Sequence, residues 1–118
     1  MTASANAIKV ATIAAQAAAD KLGENIIAID VSDHFAFPEV SLIISAKNER
    51  QVAAIADFIE DELHKAGIKL LGKEGKVEGR WILENFGDVV CHVFHEEDRM
   101  TRGLERLYDG PRIELDVS

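Results

Sequence analysis

The sequence predicts an α/β domain of mixed α+β character: one small mixed sheet of five strands with helices mainly on one face. Three observations lead there. Two segments carry apolar residues at helical spacing, five short runs are apolar and mostly β-branched, and these elements do not alternate strictly as βαβ. A chain of 118 residues has room for a single core. Residues 1–110 are assigned to that domain, and 111–118 to an extended C-terminal tail starting at Pro111.

Ile8, Ala11, Ala15, Ala18 and Leu22 step by three and four, the stripe of an amphipathic first helix, and Gly23 stands where it would stop. "NIIAIDV" and "VSLIISA" read as two buried strands, separated by the irregular "SDHFAFPE" with Pro38. Asn48 with Gln51 three positions on forms an N-cap for a second helix. Val52, Ile55, Ile59, Leu63 and Ala66 supply its stripe, and Gly67 closes it. "IKLL" is the expected third strand, "GKEGKVEG" a glycine-spaced loop, and "RWILEN" and "VVCHVFH" the fourth and fifth strands. Glu96, Glu97 and Asp98 mark the start of a third helix, whose short apolar edge is Met100, Leu104 and Leu107.

Composition excludes several classes. Hydrophobic content of 47% with interspersed charge belongs to a globular domain, and no apolar run approaches the ~20 residues of a membrane helix. The opening "MTASANAIKVATIAAQAAADKLG" has neither the apolar block of a secretory signal nor the Arg of a transit peptide. The single Cys91 can form no internal disulfide, so a cytoplasmic location is expected. A formal charge of −8 without a Lys/Arg cluster disfavours independent nucleic-acid binding but favours a basic protein as target.

Chemical motifs fail on context. "GIKLLGKE" spells G-x-x-x-x-G-K, but Glu74 replaces the magnesium-holding Ser/Thr, and the loop-to-helix setting is missing; a surface loop is the simpler reading. His92 and His95 lie three apart on an expected strand and so point to opposite faces, which argues against a metal site. Cys91, within the same strand, reads as buried and inert. Asp30 and Asp33 could suggest metal-dependent nucleotidyl transfer, but closely paired carboxylates are not evident. Asp33 reads as a turn residue and Asp30 as solvated strand-end polarity. No catalytic group, cofactor or metal is expected.

"GRWILENFGDVVCHVFHEEDR" concentrates the only Trp and Cys with two His. With Phe86 and Gly87 as a two-residue hairpin loop, Trp81 lies opposite His92, Leu83 opposite Val90 and Ile82 opposite Cys91. One face then carries Trp81, Leu83, Val90, His92 and Phe94; the other carries Ile82, Glu84, Val89, Cys91 and Val93. Both are substantially apolar. Either the chain's own helices cover both, or the Trp81 face is partly open and docks a partner.

This run, with "LERLYDGP" after it and "IIAIDV…IISAKNERQVAAIADFIEDEL…AG" before it, closely resembles the ribosomal silencing factor (Iojap) family from about Asn6 to Pro111. The resemblance implies a small α/β domain similar in topology to nucleotidyltransferases without their catalytic groups, usually a homodimer. Such proteins bind large-subunit ribosomal protein fourteen on the intersubunit face of the large ribosomal subunit. There they block joining of the small subunit and lower translation when nutrients are scarce. By the same resemblance the interaction residues are Trp81, Asp88, His92, Phe94, Glu97 and Arg99, to which the hairpin pattern adds Leu83 and Val90. The chain departs from the family pattern at Pro38-Glu39-Val40, at Ser45-Ala46-Lys47, and at Tyr108, where a Trp is common. A nucleotidyltransferase-type enzyme acting on a small nucleotide is the alternative, and a dimerisation module with another partner a third.

Overall fold

A computed structural model describes residues 2–34, 36–75, 78–103 and 110–117. The elements are α1 (Ala5–Asp20), β1 (Glu24–Asp30), β2 (Val40–Ala46), α2 (Glu49–Lys65), β3 (Gly72–Glu74), β4 (Trp81–Asn85), β5 (Val89–His95), α3 (Glu96–Arg102) and β6 (Arg112–Ile113). They build one mixed sheet in the order β3-β4-β5-β2-β1-β6, in which β2 and β5 run parallel and the other neighbours antiparallel.

Local chemistry explains the helix bounds. Ser4 caps α1 by accepting from the Ala7 amide at 3.1 Å. Alanines 7, 11, 14, 15 and 18 are fully buried, and side chains this small let α1 lie close to the sheet and to α2. The helix ends before Leu22, which takes φ +66° while the Gly23 amide donates to Ala18 O at 2.8 Å and the Leu22 amide to Ala19 O at 3.0 Å. Leu22 is therefore turned outward, 75% exposed, and is not part of the core stripe. Asn48 caps α2 through the Gln51 amide at 2.9 Å, and Gln51 ties the two helices together by donating to Lys21 O and Leu22 O. Val52, Ile55, Ile59 and Leu63 are fully buried, each adding about 1.5–3 kcal/mol of burial energy. Ala66 falls at the C-cap and is exposed.

Helices α1 and α2 cover one face of the sheet, sealing Leu42, Ile44, Ile82, Val89, Cys91 and Val93 into the main core. The opposite face holds a smaller cluster of Ile29, Val31, Ile43 and Phe94, with Ile27 and Trp81 partly buried against it. A carboxyl group interrupts the apolar first face. Glu84 is fully buried there, its Oε2 3.5 Å from Lys73 Nζ, which also reaches Asp57 and Glu60 of α2 at 3.1 and 3.2 Å.

The sheet has six strands where five were expected. Asp30 N donates to Pro111 O and β6 pairs with β1 at Ala28 and Ile29; a two-residue ladder is too short to leave a periodic signal. The third strand is Gly72–Glu74 and not "IKLL", because Ile68 first closes α2 by donating to Leu63 O and the chain reaches β4 only from Leu71 onward. Met100 is 87% exposed, so it forms no apolar edge for α3. Leu104, Leu107 and Tyr108 lie outside the described residues.

Candidate protein-docking site

The β4–β5 hairpin builds the second face. Its loop is Gly87-Asp88, one residue later than expected: Phe86 N donates to Val89 O at 2.9 Å, and Gly87 takes φ +88° at the first loop position, as a type II′ turn requires. Phe86 continues the inward alternation of Ile82 and Glu84 into the main core, which draws the turn outward by one position. Trp81 therefore pairs with Phe94 and Leu83 with His92, two residues along β5 from the expected partners. A shift of two conserves side-chain parity, so both faces hold the residues expected of them.

Trp81 stacks on Phe94, ring centroids 4.9 Å apart at 23°, and its indole Nε1 donates to His92 Nδ1 at 3.3 Å. Phe94 is fully buried and His92 nearly so. Burial pushes the His92 pKa down to about 4, so the ring is neutral at pH 7 and Nδ1 is available as an acceptor. The two side chains form a floor beneath the indole, whose own surface is only partly covered. Leu83 and Val90 lie on the same face, likewise partly exposed.

The remaining expected residues are dispersed. Asp88 sits on the hairpin turn, accepting from Asn6 Nδ2 at 3.2 Å. Glu97 is exposed at the start of α3, where His95 Nδ1 caps the helix by accepting from the Glu97 amide. Arg99 is buried, donating through Nη1 to Ser45 Oγ at 2.8 Å and to Asn25 O. It thus ties α3 to the irregular start of β1, where Asn25 has φ +49°. Trp81, Leu83 and Val90 form the accessible strip, Asp88 and Glu97 mark its ends, and His92 and Phe94 support it from within, whereas Arg99 is held by Ser45 and Asn25. Arg99→Ala leaves the buried Ser45 hydroxyl and the part-buried Asn25 carbonyl without this donor and is expected to cost about 1–3 kcal/mol, read as a lowered urea midpoint.

Sequence reading missed the charges beside the indole. Arg80 donates through Nε and Nη2 to Asp98 Oδ1 at 3.0 and 2.8 Å, through Nη1 to Glu49 at 3.1 Å and through Nη2 to Glu97 at 3.3 Å. Its pKa is pushed further up, chiefly by Asp98. Among the described residues, one guanidinium here meets three carboxylates. Beside it, a hollow of about 260 Å³ is lined by Trp81 and Leu83 together with Glu74, Glu78 and Asp98. The visible signal was Arg80 preceding the Trp by one residue, with the Glu96–Asp98 run downstream.

Groups that could have suggested catalysis have structural roles. Asp30 is buried, not solvated as expected. Its Oδ2 accepts from Ala3 N at 2.8 Å, and its Oδ1 accepts from the Ser32 amide at 3.0 Å and hydroxyl at 2.6 Å. Burial opposes ionisation of this carboxyl, yet these bonds hold its pKa below the ordinary value. Cys91 is fully buried, and burial raises its thiol pKa well above the ordinary range. Among the described residues no three or more His, Cys, Asp or Glu are grouped to hold a metal, and no helix is long and apolar enough to cross a membrane.

Known proteins agree with this architecture. Residues 4–118 match the family model described as "Ribosomal silencing factor during starvation". Ribosomal silencing factor RsfS of Bacillus subtilis is 39% identical over 112 residues, 94% of this chain and 95% of the relative. The Halalkalibacterium halodurans protein of the same name is 35% identical over 105 residues, covering 88% and 90%. A crystal structure of a Chromobacterium violaceum protein superposes with a TM-score of 0.84 at 30% identity, covering 93% of this chain and 92% of that one. With its α/β fold, its Trp81 hairpin and a family match over nearly its whole length, the chain belongs to the ribosomal silencing factor family.

Proposed function

We propose that this chain represses translation by steric exclusion, in the cytoplasm and associated with the ribosome. Its Trp81 face docks on large-subunit ribosomal protein fourteen, and the occupied large subunit then cannot join the small one. Tight occupancy suffices; no bond is made or broken, and no cofactor or metal takes part. The protein acts as a homodimer.

The observation that carries this reading is the indole itself: a large aromatic ring left partly open, held rigid over Phe94 and His92, and flanked by carboxylates. Rigid aromatic anchors with little rotamer entropy to lose are what interface centres use. A chain of net charge −8 meeting a basic ribosomal protein has the favourable sign for rapid encounter. Relatives named as ribosomal silencing factors support the same conclusion.

Sucrose-gradient sedimentation with separated subunits and with joined ribosomes tests it. The chain is expected to travel with free large subunits and to be absent from joined ribosomes. Equal association with both would overturn the exclusion mechanism.

A further inference from the structure

Two of the most exposed large apolar side chains stand together at the other end of the Trp81 strip. Phe37 is 69% exposed and Leu71 62%; with Pro38, Asn85, Gly87 and Val90 they line a groove of about 400 Å³. Both walls are fastened to the hairpin. Leu71 N donates to Asn85 O at 2.8 Å, and Glu39 N, next to Pro38, donates to Asp88 O at 2.8 Å. The groove is thus built on ordered backbone, and its floor residue Val90 belongs to the same sheet face as Leu83 and Trp81. From Val90 to Phe94, which underlies the indole, is about 13 Å along the strand, a span one protein partner can cover.

We infer that the Phe37–Leu71 groove is a second contact point for the partner that docks on Trp81, receiving an apolar side chain from a basic protein surface. The inference rests on the docking role proposed for Trp81. Continuity of the apolar strip argues for one occupant. Charge argues for its chemistry: Glu49, Glu97 and Asp98 surround Arg80 at the indole end of the strip. A basic protein carrying exposed apolar residues would be attracted at that end and desolvate the strip that runs from it to the groove.

Because both side chains point outward, Phe37→Ser with Leu71→Ser should leave the fold intact, which circular dichroism checks. Calorimetric titration with purified large-subunit ribosomal protein fourteen is expected to show binding weakened about tenfold or more. Leu22→Ser, equally exposed but at the end of α1, is expected to bind as the unmodified chain does. If the double variant binds normally while Trp81→Ala does not, the groove is no part of the interface and the inference falls, leaving the docking role of Trp81 standing. The inference falls equally if the double variant binds normally but loses self-association in sedimentation equilibrium, since the occupant is then a second copy. If neither variant weakens binding, the docking role fails and the inference with it.

Discussion

Trp81→Ala is expected to weaken binding to large ribosomal subunits by roughly thirty-fold or more, about 2 kcal/mol, while the protein stays folded. The asymmetry follows from where the ring sits. It rests on Phe94 without filling the main core, which lies across the sheet beneath α1 and α2. Truncation therefore removes one stacking contact and the Nε1 bond to His92, a stability loss of about 1–2 kcal/mol. Trp81→Phe separates the contributions: it keeps an aromatic surface over Phe94 but cannot donate to His92, and its binding loss is expected to be smaller. Co-sedimentation measures the first effect and urea unfolding the second. A collapsed circular dichroism spectrum for Trp81→Ala would instead make the ring a core residue.

A second large effect concerns stability and pH. Burial raises the Glu84 pKa from the ordinary 4.5 to about 8, partly offset by the Lys73 ammonium. For Lys73, burial works against the charged form, but Asp57 and Glu60 hold its pKa above the usual value, so it remains a cation throughout. Between 4.5 and about 8 the folded chain therefore holds a proton at Glu84 that the unfolded chain has released. Stability must fall as pH rises across that window and level off above about 8. His92 acts in the opposite sense and elsewhere: with its folded pKa near 4, it contributes a loss of stability as pH falls from 6.5 towards 4. Between pH 6.5 and 8, Glu84 is left as the main source of slope. The unmodified chain is expected to lose about 1.5–2 kcal/mol there, and Glu84→Gln to level the profile and be the more stable protein at pH 8. Urea midpoints at pH 6.5, 7.2 and 8.0 measure this; parallel profiles for the two proteins would show that Glu84 ionises normally.

The sequence made the helices and inner strands legible because their signals are redundant. β2 could be read without error: seven consecutive residues, all buried, bounded by Glu39 and Lys47. Asn48 and the buried positions Val52, Ile55, Ile59 and Leu63 of α2 likewise agreed with each other. Errors arose where one residue served two demands. Leu22 fits the helical stripe, yet closing α1 placed it in the left-handed region and outside. Phe86 looks like a turn residue beside glycine, yet its burial moved the turn to Gly87-Asp88. The face proposed for docking survived that error because the register moved by two. What alternation could not supply was depth. It placed Trp81, His92 and Phe94 on one side of the sheet, but only packing decides that two of them lie under the third. The Arg80 network was harder still, since it joins α2, the chain just before β4, and α3, whose proximity is a property of the fold.

Trp81 is the only tryptophan in the chain, so its fluorescence reports on the proposed contact without any label. In a titration with purified large-subunit ribosomal protein fourteen, corrected for the partner's own emission, saturable binding should shift the emission to shorter wavelength and shield the ring from iodide quenching. Emission and quenching unchanged in a fully formed complex would contradict the central claim that this indole is the docking anchor.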